Sequence, residues 1–292
     1  MKRVVVLDGG GVRGLFPMKL FIHVEEDTKK SILGKCDLVV GSSVGALVGA
    51  ALVTGLLDRP ETRMLIEHLA PKVFEKINPK QPLLAPKFYG APKLQVLKEI
   101  FGARTMAECL VPLVVVSADF DGRMKLWKSW IDKSMLLATV LDASSAAPTY
   151  FRPVRIGDKL FIDGGVQHNT PLIPAEICVK ELFPNADVHF LSIGCRTPSI
   201  ETSSTDEKEE DLESYGLLKW INKGILDVLM GVNDDSAVQL IRSRYGENRV
   251  LRLTANVPPC FDNTSPEFLN ILKQEASRVF AEHRDVLETF FQ

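Results

Sequence analysis

Apolar residues fall into short β-branched runs alternating with longer stretches of helical period. Val4–Asp8 reads as a strand. Leu15–Lys30 reads as a helix with Phe16, Leu20 and Val24 on one face. A second short strand, Asp37–Gly41, leads into an apolar helix, Val44–Leu57, and another helix spans Pro60–Leu69. Asn78–Lys93 is rich in proline and reads as a loop. Val111–Ala118 is a buried strand, and Lys133–Ser144 is helical. Val154–Ile156 and Lys159–Ile162 form a hairpin around Gly157-Asp158. Leu172–Leu182 is a helix and Val188–Gly194 a strand. Beyond an acidic stretch lie helices from Tyr215 to Arg244, a strand at Arg249–Thr254 and a last helix opening at Ser265-Pro266. Strands alternating with helices predict an α/β fold with a mainly parallel sheet covered on both faces.

Two segments change this picture only slightly. Leu38–Leu57 is 20 residues without charge, the length of a membrane span. The turn Gly41-Ser42-Ser43-Val44-Gly45 near its start leaves too short a helix to cross a bilayer, so a helix buried in a large domain is expected. Ile200–Ser214 holds seven acids and one lysine and reads as a solvated loop.

The chain has 292 residues, 46% of them hydrophobic, enough for one large domain or two small ones. A formal net charge of -2 and the lack of a basic run argue against nucleic acid as a partner. Cys36, Cys109, Cys178, Cys195 and Cys260 are scattered, odd in number and never spaced as CxxC. This fits a reducing, cytoplasmic compartment better than a disulfide framework or a zinc site. A strand starting almost at Met1 leaves no room for a signal peptide.

The first strand runs into Asp8-Gly9-Gly10-Gly11-Val12-Arg13-Gly14. Gly9, Gly11 and Gly14 satisfy G-x-G-x-x-G, the dinucleotide fingerprint. That fingerprint needs an acid at the end of the second strand to hold a ribose. Here Asp37 precedes its strand, and the strand ends instead in Gly41-Ser42-Ser43-Val44-Gly45, a G-x-S-x-G between strand and helix. Such a turn thrusts Ser43 out of the sheet edge, and Gly41 and Gly45 avoid clashes within it. Ser43 would stand at a helix N-terminus, where partial positive charge favours an alkoxide; it would also serve as an ordinary N-cap. An attacking serine needs donors for an oxyanion, and the N–H groups of Gly9, Gly10 and Gly11 at a neighbouring strand end suit that task.

The base is less determined. His23 and His68 lie in helical stretches, His189 inside a strand as a core residue, and His283 on the last helix. His168, in a loop, leaves an Asp163–His168–Ser43 triad open. Asp163 itself ends a strand in Phe161-Ile162-Asp163-Gly164-Gly165, with Gly164 and Gly165 leaving room around it. A carboxylate base is chemically plausible if burial or geometry favours proton transfer.

Three blocks, Asp8–Gly14, Gly41–Gly45 and Asp163–Gly165, occur in this order, with Ala143-Ser144-Ser145-Ala146-Ala147-Pro148-Thr149-Tyr150-Phe151 before the last. Together they resemble the patatin-like phospholipase family over roughly Met1–Gly194. The resemblance implies a lipid acyl hydrolase with a three-layer α/β/α sandwich and a Ser–Asp dyad. It makes Ser43 the nucleophile and Asp163 the base, and demotes His168. Gly9, Gly10 and Gly11 would form the oxyanion hole with Arg13 ordering it, and neither metal nor other cofactor is required. A single domain over 1–292 is expected, with its motif-bearing core in 1–196. The expected partner is a phospholipid or lysophospholipid membrane surface, met peripherally. Lys80, Lys87 and Lys93, interleaved with Leu83, Leu84, Phe88 and Tyr89, would suit contact with anionic lipid. Phe268, Leu272, Val279, Val286, Phe290 and Phe291 lie roughly on one side of the last helix and are expected to dock it onto the sheet. A general carboxylesterase, a ligand-activated defence or signalling effector and, remotely, a dinucleotide-binding protein are the competing functions.

Overall fold

Val4, Val5, Val6 and Leu7 are wholly shielded from solvent, as a strand with neighbours on both edges and layers on both faces must be. The computed structural model describes residues 1–57, 65–74, 85–196, 234–258 and 260–292. In it β1 (Lys2–Leu7) pairs in parallel with β2 (Leu38–Ser42) on one side and β7 (Val188–Arg196) on the other. Next to β2 lies β3 (Leu113–Asp119), and next to β7 lies β8 (Val250–Asn256), both parallel. Three antiparallel strands follow β3: β4 (Met124–Lys128), β5 (Val154–Ile156) and β6 (Lys159–Asp163). The eight-stranded sheet has the order β5-β6-β3-β2-β1-β7-β8, with β4 paired to β3 off this path.

Strand alternation sorts the core into two layers. Val5, Leu7, Val39, Leu113, Val115 and Ile193 face one side. They pack there with residues of α1 (Leu15–Thr28), α2 (Val44–Val53), α5 (Leu137–Ser144) and α9 (Pro266–Phe290). Val4, Val6, Leu38, Val40, Val114 and Val116 face the other side, against α7 (Leu172–Leu182) and α8 (Asp234–Tyr245). Each Val or Leu side chain buried this way is worth about 1.5–3 kcal/mol. This is the expected α/β/α sandwich. The remaining helices are α3 (Leu65–Val73), α4 (Gly90–Phe101) and the short α6 (Gly165–His168).

Several expectations need correction. The uncharged stretch Leu38–Leu57 divides into β2 and α2, and among the described residues no helix is long and apolar enough to cross a membrane. α2 stops at Val53, because the Thr54 hydroxyl turns back to the Ala50 carbonyl (2.6 Å) and Gly55 takes φ 68°. The proline-rich segment is not a loop as far as Lys93, since α4 begins at Gly90. Pro92 sits in its first turn, where a missing N–H costs no helical bond. β4 also went unforeseen, although Trp127 is buried in it against Phe161. His189 is not a core residue: its side chain is partly exposed, 3.6 Å from the Asp187 carboxylate. On α9, Phe268, Leu272 and Val279 are buried, but Val286 is half exposed and Leu287 takes its place in the core. The Ser265 hydroxyl caps that helix by accepting the Phe268 N–H. The acidic stretch Ile200–Ser214, the helices expected from Tyr215 up to residue 233, and Lys80, Leu83 and Leu84 lie outside the described residues.

Candidate active site

Two strands end against consecutive residues of β3. Ser42 of β2 is opposite Val116, and Asp163 of β6 is opposite Ser117. One register step therefore brings together chain positions 120 residues apart. Gly41 pairs with Leu7 and Val115, so the turn that follows is anchored from both sides.

That turn holds Ser43 at φ 53°, ψ -127°, a conformation that costs a non-glycine residue roughly 1–3 kcal/mol. Close packing sustains it. Gly45 lies so near the Leu7 and Asp8 carbonyls that a side chain there would overlap backbone. The Ser43 N–H donates to the Ser144 hydroxyl (3.0 Å), which itself donates to the Val116 carbonyl (2.6 Å). The Ser43 side chain makes no helix-capping bond, so the N-cap alternative does not describe it. Instead its Oγ donates to Asp163 Oδ2 at 2.7 Å.

Asp163 is about 1% exposed, and its other oxygen, Oδ1, accepts the Gly165 N–H at 2.7 Å. Its own N–H bonds the Ala146 carbonyl, and the Gly164 N–H bonds the Ser144 carbonyl. The Ala143–Phe151 block thus stitches the serine turn to the aspartate turn. Burial pushes the Asp163 carboxyl up to about 6, opposed by the Ser43 hydroxyl, the Gly165 N–H and the charge of Lys93. Such a value makes the carboxylate a better proton acceptor than an exposed aspartate.

Lys93 is an unforeseen part of this environment. It is buried on α4 and ion-paired with Asp142 (3.1 Å), and its Nζ also donates to the Asp142 carbonyl (2.8 Å) and Ser145 Oγ (3.2 Å). The ammonium lies 4.5 Å from the centre of the Phe151 ring, and burial lowers its pKa. Phe88 is buried too, and Lys87 is ion-paired with Asp262. Segment 85–93 therefore does not present Lys87, Phe88 and Lys93 as a free lipid-binding set.

The glycine loop is divided in its tasks. The Gly9 N–H donates to the Asn169 carbonyl (3.0 Å) and is not available to an oxyanion. This corrects the expected donor set. Gly10 and Gly11 face the same cleft as Ser43 and Asp163, and among the described residues their N–H groups have no protein acceptor. Gly11 has φ 58°, and a Cβ there would run into the Phe261 backbone. Arg13 is buried and bonds the Gly10 carbonyl through its N–H (3.1 Å) and Nε (3.2 Å). Asp8, just before the glycines, holds a two-point ion pair with Arg252 of β8, whose guanidinium also donates to Ser192 Oγ (2.7 Å). Nothing in the local sequence pairs residues 8 and 252.

His168 is turned elsewhere. It lines a separate cavity with Gln167, Asn169, Thr170 and Ile173, and burial lowers its pKa. Among the described residues, no group of three or more His, Cys, Asp or Glu could hold a metal. The cleft over Ser43 encloses about 930 Å³ of atom-free space, part of it open to solvent. Its walls are apolar side chains including Leu47, Phe74, Val96, Ile100, Tyr150 and Phe261.

A cGAMP-activated phospholipase of Pseudomonas aeruginosa (strain BWHPSA011 / Pa011) is 27% identical over 259 residues, covering 84% of this chain and 76% of that one. Another, from Escherichia coli (strain TW11681), is 28% identical over 234 residues; this chain spans 61% of its length and 66% of its own. The crystal structure of VipD from Legionella pneumophila aligns with a TM-score of 0.47 at 15% identity, over 97% of this chain and 67% of that one. The patatin-like phospholipase model matches residues 5–176, more than half of the chain, and the chain belongs to that family.

Proposed function

We propose that this chain cleaves fatty acyl esters of phospholipids through a covalent acyl-enzyme. The observation that carries the reading is the 2.7 Å hydrogen bond from Ser43 to a buried carboxylate at an apolar cleft. In the first step Asp163 takes the hydroxyl proton as Ser43 Oγ attacks the ester carbonyl. The N–H groups of Gly10 and Gly11 receive the developing oxyanion, and each such donor is worth about 3 kcal/mol of barrier. Asp163 then hands its proton to the leaving alcohol oxygen. Water attacks the acyl-enzyme with Asp163 again as base, releasing the fatty acid. Lys93 keeps a positive charge near Asp163, which favours the ionised form that catalysis requires.

The apolar walls fit an acyl chain, and the expected site of action is a membrane surface met peripherally. A general carboxylesterase acting on soluble esters is the nearest competitor. Incubating wild type and Ser43→Ala with defined phospholipids, and identifying the products by mass spectrometry, tests the reading. Fatty acid and lysophospholipid from wild type alone are expected. Absence of both from wild type, with turnover of short soluble esters, would make it a carboxylesterase. The names of the two bacterial relatives favour one refinement, a hydrolase switched on by a small ligand. The same assay with and without a cyclic dinucleotide tests it.

A further inference from the structure

The family match ends at residue 176, yet the cleft is completed by a segment far beyond it. After β8 the chain crosses back over the glycine loop. The Val12 N–H donates to the Phe261 carbonyl at 2.8 Å, and Gly11 lies directly against the Phe261 backbone. The Phe261 ring lies 4.5 Å from the Arg13 guanidinium carbon, so Arg13 is held between that ring and the Gly10 carbonyl. The ring also meets Tyr150 edge-on at 6.4 Å and lines the cleft. The next residue, Asp262, is ion-paired with Lys87, whose ammonium lies 5.1 Å from the Tyr150 ring.

Resting on the acyl-hydrolase reading, we propose that Phe261 is both a positioning and a specificity-determining residue. Through its carbonyl and the Arg13 contact it holds the Gly10 and Gly11 N–H groups in register with Ser43. Through its ring it forms part of the wall that an acyl chain must pass. It touches no reacting atom in the first role and only the substrate's chain in the second.

The two roles separate in kinetics. Wild type, Phe261→Ala, Phe261→Leu and Phe261→Tyr are assayed on p-nitrophenyl esters from butyrate to palmitate, with melting curves and fluorophosphonate labelling of Ser43 as controls. Misplaced donors cost on the order of 10²-fold, so Phe261→Ala should lose about that in kcat on every ester. Its optimum chain length should also move toward bulkier acyl groups. Phe261→Leu keeps bulk but lacks a π face; it should keep the chain-length optimum and lose kcat by about tenfold, so a Leu variant with wild-type kcat counts against the proposal. Phe261→Tyr should restore kcat to within about threefold. Should Phe261→Ala not fold, Phe261→Leu and Phe261→Tyr carry the test. Folded variants with wild-type kcat and an unchanged optimum would overturn the proposal while leaving the hydrolase intact. A wild type that neither turns over esters nor takes the label would remove the hydrolase reading and this proposal together.

Discussion

Replacing Asp163 by Asn should destroy activity and make the protein more stable. The carboxyl is about 1% exposed, and burial raises its pKa from 3.8 to about 6. Folded protein therefore holds a proton here that unfolded chain has released between those two values, so stability falls as pH rises through that window. Carrying the bare carboxylate at neutral pH costs roughly 3 kcal/mol, which is the ceiling on what Asn can recover. Asn accepts the Gly165 N–H as Asp163 does, so most of that gain should survive. For a chain of this size it corresponds to a melting temperature higher by about 5 °C. The measurement is chemical denaturation of both proteins from pH 4 to pH 8, paired with ester hydrolysis. The expected gain is full at pH 7, shrinks below pH 6 and vanishes near pH 4. In wild type, hydrolysis should fall about tenfold per pH unit below pH 6, as Asp163 takes up its proton. A variant no more stable than wild type at pH 7, or a stability difference flat across pH, would refute the argument that burial controls this carboxyl.

Further outcomes follow from the same geometry. Gly11→Ala forces a side chain into the Phe261 backbone and should cut kcat by about 10²–10³-fold with the fold retained; steady-state kinetics and circular dichroism check this. Arg252→Met strands the buried Asp8 charge and should cost about 3–5 kcal/mol in urea denaturation, with a loss of activity. His168→Gln should keep most of the wild-type kcat, because that ring lines a different cavity; a large loss in a normally folded variant would restore a triad.

Much of the scaffold was legible because strands buried on both faces read as plain apolar runs, as at Val4–Leu7 and Leu113–Val116. The Ser43 turn was legible for a related reason: its G-x-S-x-G is complete within five residues. The bond between Ser43 and Asp163 was not readable from spacing. It arises from the register of two strands on a third, and only the family resemblance anticipated the pairing. Three features besides β4 escaped the sequence reading. α4 was masked by Pro92, which looks like a helix breaker but sits where helices tolerate it. Lys93 looked like a surface charge, and only its contacts with Asp142 and Ser145 explain its burial. The Gly9 amide looked like one donor of three, yet the Asn169 carbonyl, 160 residues on in the chain, has already claimed it.

The Asp8–Arg252 pair spans 244 positions of the chain. At ribosomal speeds of about 5–20 residues per second, that gap corresponds to a delay on the order of 10–50 s. Over its last 89 positions, about 4–18 s, Ser43 and Asp163 have both been made, but the arginine that neutralises the root of the glycine loop has not. The Ser43 turn and the Asp163 turn are therefore synthesised before the partner that fixes the glycine loop, so the complete site cannot assemble until translation has moved past β8.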